Sequence, residues 1–255
     1  MQVKDDLKRK ARGGAPPSPL DLRVLSALHH ASQGGGFSQG WLNTGISEQV
    51  LAQFYPHFTA WMRRTYSSEW IRIPSTVEEL QADVRRYTIL GFPGGVGSMD
   101  GVHVECIAAF TDQHAHVGKE GYSTVSFNVT SNRSRIMHVA GVQQGNRPDT
   151  CTVRSDAYVQ AVREKELFTG FEFLLYNAAG VRQRHKGAWI ICDNGYHRWA
   201  ETICPIKRGN SRAEHRWSKR VESVRKVRRS CTVCRAVPNP NITIHMSPPY
   251  SLLAV

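Results

Sequence analysis

Apolar residues recur at helical spacing in the first third of the chain and at strand spacing after it. Leu20, Val24, Leu25 and Leu28 share one helical face, so a helix starts near Leu20 and ends at the break Gly34-Gly35-Gly36. Phe37 to Leu42 reads as a short helix stopped near Gly45. Ser47 is placed to cap a longer helix that carries Val50, Leu51, Phe54, Phe58 and Trp61 through about Arg64. Helix, break, short helix, turn and helix is the outline of a helix-turn-helix, although small bundles with no DNA role share it. Ser75 and Glu78 form a capping-box pattern ahead of a further helix.

From residue 91 the texture changes. Gly91-Phe92-Pro93-Gly94-Gly95-Val96-Gly97 reads as a turn-rich entry, and Val102 and Val104 face one way in an extended segment that runs to Ile107. Tyr122 to Thr130 alternates as a strand, Ser131-Asn132-Arg133 turns, and Ile136 to Val142 forms the next strand. Residues 155–168 suit a helix with Tyr158, Val159, Val162 and Leu167 inward. Ala188 to Cys192 is a short buried strand that ends at Asp193-Asn194-Gly195-Tyr196. The expected architecture is an α/β core behind a small helical domain. Its parts are a flexible basic arm over 1–19, a helix-turn-helix-like region over 20–90, the core over 91–226 and an atypical basic tail over 227–255.

Length and charge narrow the function. A chain of 255 residues can bury one sizeable core, and a formal charge of +12 favours a polyanionic partner. No apolar run reaches the roughly 18 residues a membrane helix needs, and the N-terminal residues carry no apolar stretch of the kind that directs secretion. The cysteines at 106, 151, 192, 204, 231 and 234 mostly lie in apolar runs, as reduced buried thiols do. Cys231-x-x-Cys234 lacks the second ligand pair of a structural zinc site.

The chemistry is carried by acids placed where strands give way to turns. Asp100 opens Asp-Gly-Val-His, Asp149 follows Gly145-Asn146-Arg147-Pro148, and Asp193 ends an apolar strand. A single aspartate in such a place is ordinarily a turn residue making Asx hydrogen bonds. Converged across a sheet, however, such carboxylates repel one another, and hard divalent cations relieve the repulsion. Two ions roughly 3.5–4 Å apart stabilise the attacking and leaving oxygens of a phosphoryl displacement.

Between Leu20 and Lys226 the chain resembles Harbinger-type DDE transposases and the nuclease-like proteins derived from them. The matching pieces run in order: Gly45-Ile46-Ser47, Ile73-Pro74, Glu79-Leu80, Gly91-Phe92-Pro93-Gly94, and Gly97-Ser98-Met99-Asp100-Gly101-Val102-His103. Lys119-Glu120-Gly121-Tyr122, Gly145 with Asp149, and Cys192-Asp193-Asn194-Gly195-Tyr196 follow, with Trp199 and Pro205 after them. The resemblance implies an RNase H-like core that cuts DNA at transposon terminal inverted repeats with two Mg²⁺ or Mn²⁺ ions, in the nucleus, often beside a Myb-like DNA-binding partner. It makes Asp100 and Asp193 the first two catalytic acids and Asp149 an additional metal ligand. His103 becomes a neighbour that orients the first carboxylate or contacts phosphate.

The third acid departs from the family pattern, which places a glutamate on a helix after an Arg-rich approach and before Phe-Gly. Here Arg216 to Lys226 is followed by Arg, Cys, Pro and Ser, with no acid through Val255. Either Glu222 is the catalytic and metal-binding glutamate, or Arg225-Lys226 marks the register and the glutamate is missing. The second alternative suits a frameshifted tail and a catalytically decayed protein that binds DNA or other proteins.

Overall fold

The computed structural model describes residues 18–33, 36–105, 113–119, 121–132 and 135–226. The N-terminal arm up to residue 17, the tail from 227, and Cys106, Cys231 and Cys234 lie outside them. The chain divides into two compact units between Arg64 and Thr65.

In the first unit, α1 (Leu20–Gln33) is followed by α2 (Phe37–Thr44) and then by α3 (Glu48–Trp70), inside which the division falls. Gly45 ends α2 in the left-handed conformation at φ 71°, where a Cβ is costly. The Ser47 hydroxyl accepts from the Val50 N–H at 3.4 Å, the expected cap. Ala27, Ile46, Leu51, Phe54 and Phe58 form the core. The expected inner face of α1 is corrected: Leu20, Leu25 and Leu28 are exposed, whereas Ser26 and Ala27 are buried. Small side chains let a helix backbone approach its neighbours, which the apolar count of the sequence does not register. Likewise α3 runs past Arg64 to Trp70, with Pro56 inside it.

The second unit is built on a mixed sheet. Its strands are β1 (Gly95–Glu105), β2 (Thr124–Ser131), β3 (Ile136–Val139), β4 (Gln143–Gln144), β7 (Trp189–Ile191) and β8 (Thr202–Ile203). They run in the order β3-β2-β1-β7-β8, with β4 beside β2. β1 pairs antiparallel with β2 and parallel with β7, which is parallel to β8. β5 (Glu172–Tyr176) and β6 (Arg182–Lys186) form a separate hairpin. The helices are α4 (Val77–Ile89), the single turn α5 (Asp149–Thr152), α6 (Ala157–Arg163) and α7 (Arg212–Lys226). This α/β architecture, a mixed sheet flanked by helices, is compatible with an RNase H-like core.

Two apolar clusters cover the sheet. Val96, Met99 and Ile190 pack with Leu80 and Val84 of α4 and with Tyr158, Val159 and Val162 of α6. Trp189 and Ile191 pack with Phe92 and with Val221 and Val224 of α7. Alternation along β7 therefore sends successive side chains into different clusters. Burying residues such as Ile190 and Ile191 stabilises the fold by about 1.5–3 kcal/mol each.

Several boundaries differ from the sequence reading. The capping box sits one residue later: Thr76 caps α4 by accepting from the Glu79 N–H, and the Glu79 carboxylate accepts from the Ser75 N–H. Glu79 also receives both Arg72 guanidinium nitrogens at 2.6 Å, and these bonds lower its carboxyl to about 2. β1 begins at Gly95, inside the stretch read as a turn. A Cβ at Gly97 would stand 3.2–3.3 Å from Thr130 and Met137, so glycine there serves close packing within a strand. The helix expected over 155–168 is confined to Ala157–Arg163, capped by Asp156.

Candidate active site

Asp100 lies in the middle of β1, opposite Val129 of β2, and not at a strand end. Its carboxylate Oδ2 meets Arg225 Nη1 of α7 at 3.1 Å, so it points toward the α7 side of the sheet. Asp193 follows β7, and its Oδ1 accepts from the Gly195 N–H at 2.7 Å in an Asx turn. The structure thus keeps the turn chemistry that the sequence suggested for this aspartate and adds a second group to its neighbourhood.

That group is Asp149, the first residue of α5. A methyl placed on Gly195 would stand 2.6 Å from Asp149 Oδ2 and 3.1 Å from Asp193 Oδ1. The two oxygens are therefore no farther apart than the 5.7 Å those distances add up to. A methyl on Gly101, next to Asp100, would stand 3.2 Å from Asp149 Oδ1. Two glycines leave a slot for the Asp149 carboxylate: a Cβ at Gly195 would force it to move, and one at Gly101 would press on it. Asn128 fixes the surroundings. It sits opposite Gly101 in the β1–β2 ladder, is 2% exposed, and its Oδ1 accepts from Tyr196 at 3.1 Å and from Thr152 at 3.3 Å. One side chain of β2 thereby ties the turn after β7 to the turn that carries Asp149.

The electrostatics are those of a crowded acidic site. Burial pushes the Asp149 carboxyl above its ordinary value and the negative charge of Asp193 pushes it further; Lys119 and His103 pull it back, and Asp100 adds the smallest push. His103 Nδ1 lies 3.2 Å from the Thr124 hydroxyl. Burial also raises the Tyr196 hydroxyl, with Asp149 adding to the effect, so it remains a neutral donor to Asn128.

Glu222 is the remaining candidate. Its neighbours on α7, Val221 and Val224, are buried, and its own Oε2 takes Arg225 Nη2 at 3.1 Å and Lys226 Nζ at 3.4 Å. Arg225 thus bridges Glu222 to Asp100. Burial works against its charge, but Asp100, Glu222 and Asp193 more than offset that and raise its pKa. An open groove of about 510 Å³ runs beside this corner, with Asn194 and Ile206 on one side and Ser218, Lys219, Glu222 and Lys226 on the other.

The donor chemistry suits a hard divalent cation at Asp149 and Asp193: oxygen ligands, converged, and repelling one another without a counter-charge. Among the described residues no group of three or more His, Cys, Asp or Glu side chains is arranged to hold a metal ion. The carboxylates of Asp100 and Glu222 are engaged by Arg225. The sequence marked Arg225 only as a register position; its ion pairs, Asn128 and the two-glycine slot were missed. The Gly in Asp193-Asn194-Gly195-Tyr196 was the available signal for the slot, whereas nothing in sequence marks Asn128 apart from other strand residues. Of the thiols, Cys192 and Cys204 are free and buried, and Cys151 is free but exposed.

No helix among the described residues is long and apolar enough to cross a membrane. No protein-family model matches the chain, and no solved structure matches it. It is 24% identical over 216 residues to the human protein named "Putative nuclease HARBI1". That similarity takes in 84% of this chain, which spans only 56% of the curated relative's length.

Proposed function

We propose that this chain is a divalent-metal-dependent DNA nuclease of the DDE transposase-derived kind. The observation that carries the reading is the convergence of Asp149 and Asp193 on the Gly195 slot, with Asp149 destabilised as an anion by burial and by its acidic neighbours. Sites that shift a pKa by burial plus specific charges are where function concentrates. The name of the human relative supports the same class.

On this reading Asp149 and Asp193 hold a Mg²⁺ or Mn²⁺ ion, with Asp100 and Glu222 on the α7 side of the same corner. When bound, such an ion polarises a phosphodiester oxygen and lowers the pKa of water. Asn128 and Tyr196 keep the two aspartates in register. Lys219 and Lys226, on the groove wall, attract and orient the phosphate backbone, contacts that set position and not sequence. Residues 20–90 supply further DNA contact, terminal inverted repeats are the target, a Myb-like protein is the partner, and the nucleus is the place of action.

A second reading is favoured by one observation. Arg225 neutralises Asp100 and Glu222 from within, as expected of a chain that has lost catalysis and kept DNA binding. Nicking of supercoiled plasmid in Mg²⁺ or Mn²⁺ separates the two. The nuclease reading expects nicking that disappears in Asp193→Asn. Equal nicking by both proteins, or none by either with DNA binding retained, overturns it in favour of the second.

A further inference from the structure

Arg225 stands where a cation shared by Asp100 and Glu222 would stand. Its two terminal nitrogens each lie 3.1 Å from a carboxylate oxygen, one on β1 and one on α7, and its side chain is only 12% exposed. Because it follows Glu222 by three residues on one helix, it is tethered beside that carboxylate. A tethered group competes at an effective concentration that a free ion must exceed. Its charge is permanent, so no change of ordinary pH removes it. The other half of the corner is different. Asp149 and Asp193 approach each other with no guanidinium bridging them among the ion pairs of the described residues. Lys119 and His103 act on Asp149 through space, and Arg225 on Asp193, and burial with the Asp193 charge still leaves the Asp149 carboxyl raised.

Building on the nuclease reading, we propose that Arg225 is the resident cation of the Asp100–Glu222 half, so that the chain takes up one divalent ion, at Asp149 and Asp193, and not two. A guanidinium neutralises carboxylates and donates hydrogen bonds in a fixed fork, but it has no vacant coordination position. It can stabilise charge on a phosphate oxygen and cannot turn a bound water into hydroxide. Arg225 is thus a positioning residue that determines how many ions the site accepts. It holds β1 and α7 together at this corner and leaves Lewis-acid chemistry to the other half.

The test is a Mn²⁺ titration of the full chain, with free Mn²⁺ followed by its electron paramagnetic resonance signal and folding by circular dichroism. The wild type is expected to bind one ion and Arg225→Met two, while Arg225→Lys, which keeps the charge, stays at one. Two further variants give a reading even if Arg225→Met does not fold: Asp149→Asn loses the ion, and Glu222→Gln keeps it with less than a threefold change in affinity. Two ions in the wild type, one in a folded Arg225→Met, or loss of the ion in Glu222→Gln overturns the inference while leaving a metal site in place. No ion in either the wild type or Arg225→Met overturns it together with the metal-dependent reading.

Discussion

Asp83 and Asp149 are both aspartates of the larger unit whose carboxyls burial pushes above the ordinary value, yet they sit in different surroundings. Asp83, on α4 and 1% exposed, receives Arg135 at 2.9 Å and Arg86 at 3.2 Å, so two guanidiniums offset part of its desolvation. The charges that add to desolvation at Asp149 are those of Asp193 and Asp100. Asp83 is held by two guanidiniums in direct contact, whereas Asp149 has carboxylates as well as Lys119 and His103 around it. The corner at Arg225 lies between these extremes, since Asp100 has been supplied with a cation from within the chain.

The comparison breaks most visibly at the acids themselves. Asp149→Asn and Asp193→Asn should each lower metal-dependent nicking by at least about a thousandfold, the loss of several kcal/mol of charge stabilisation, measured on supercoiled plasmid. Asp149→Asn should at the same time raise the folded chain's stability by roughly 0.5–2 kcal/mol in metal-free buffer, because it removes a desolvated, repelled anion. A variant that loses activity and stability together would place Asp149 with Asp83 as a structural residue.

Asp83→Asn should do the reverse. It leaves Arg135, 21% exposed, without its carboxylate, and removing one partner of a buried pair costs about 3–5 kcal/mol. Thermal melting should fall by on the order of 10 °C in a unit of this size. Nicking by the surviving folded fraction should stay unchanged. Gly195→Ala comes next, since its methyl would meet Asp149 Oδ2 at 2.6 Å. Overpacking of this sort costs about 1–3 kcal/mol, and Mn²⁺ affinity should drop about tenfold or more as Asp149 is driven from its slot. A titration showing wild-type affinity would mean that the slot is not where the ion binds.

A smaller effect is the pH profile of metal-free stability. Asp149 has a folded pKa above its ordinary 3.8, so between those values the folded chain holds a proton that the unfolded chain has released. Its contribution to stability is fully present below 3.8 and is lost as pH rises through the folded value. Glu79 and Glu214, whose carboxyls are lowered, contribute the opposite slope below their ordinary 4.5. The Asp149 part is therefore read as the difference in denaturant melts between wild type and Asp149→Asn, which should fall across that window. Mn²⁺, which binds the deprotonated form, should oppose it. The smallest effect expected is Arg86→Ala, at about 0.5–1 kcal/mol, because Arg86 is 41% exposed and Arg135 still holds Asp83.

How much of this was legible in the chain differs from feature to feature. The first-unit helices were readable because Gly45 and Ser47 are local stop and start signals whose physics acts within a few residues. The face of α1 was not, since Ala27 and Ser26 are buried only because neighbouring helices come close to them. The extent of β1 was hidden by its glycines, which read locally as turns and act in the sheet as room for Thr130 and Met137. Asp100, Asp149 and Asp193 could be named from motif order, but no spacing says that Asp149 passes between Gly101 and Gly195. Glu222 could be named and not placed.

By itself, then, the sequence determined the helical signals, the alternating strands, the excess positive charge and the identities of the acids, since these depend on local chemistry and composition. Tertiary structure decided which charges meet. Coulomb interactions and desolvation act through space over a few ångströms, and the positions that set them here are 125 residues apart for Asp100 and Arg225. Only the folded sheet brings that pair together, and only the slot at Gly195 sets Asp149 beside Asp193.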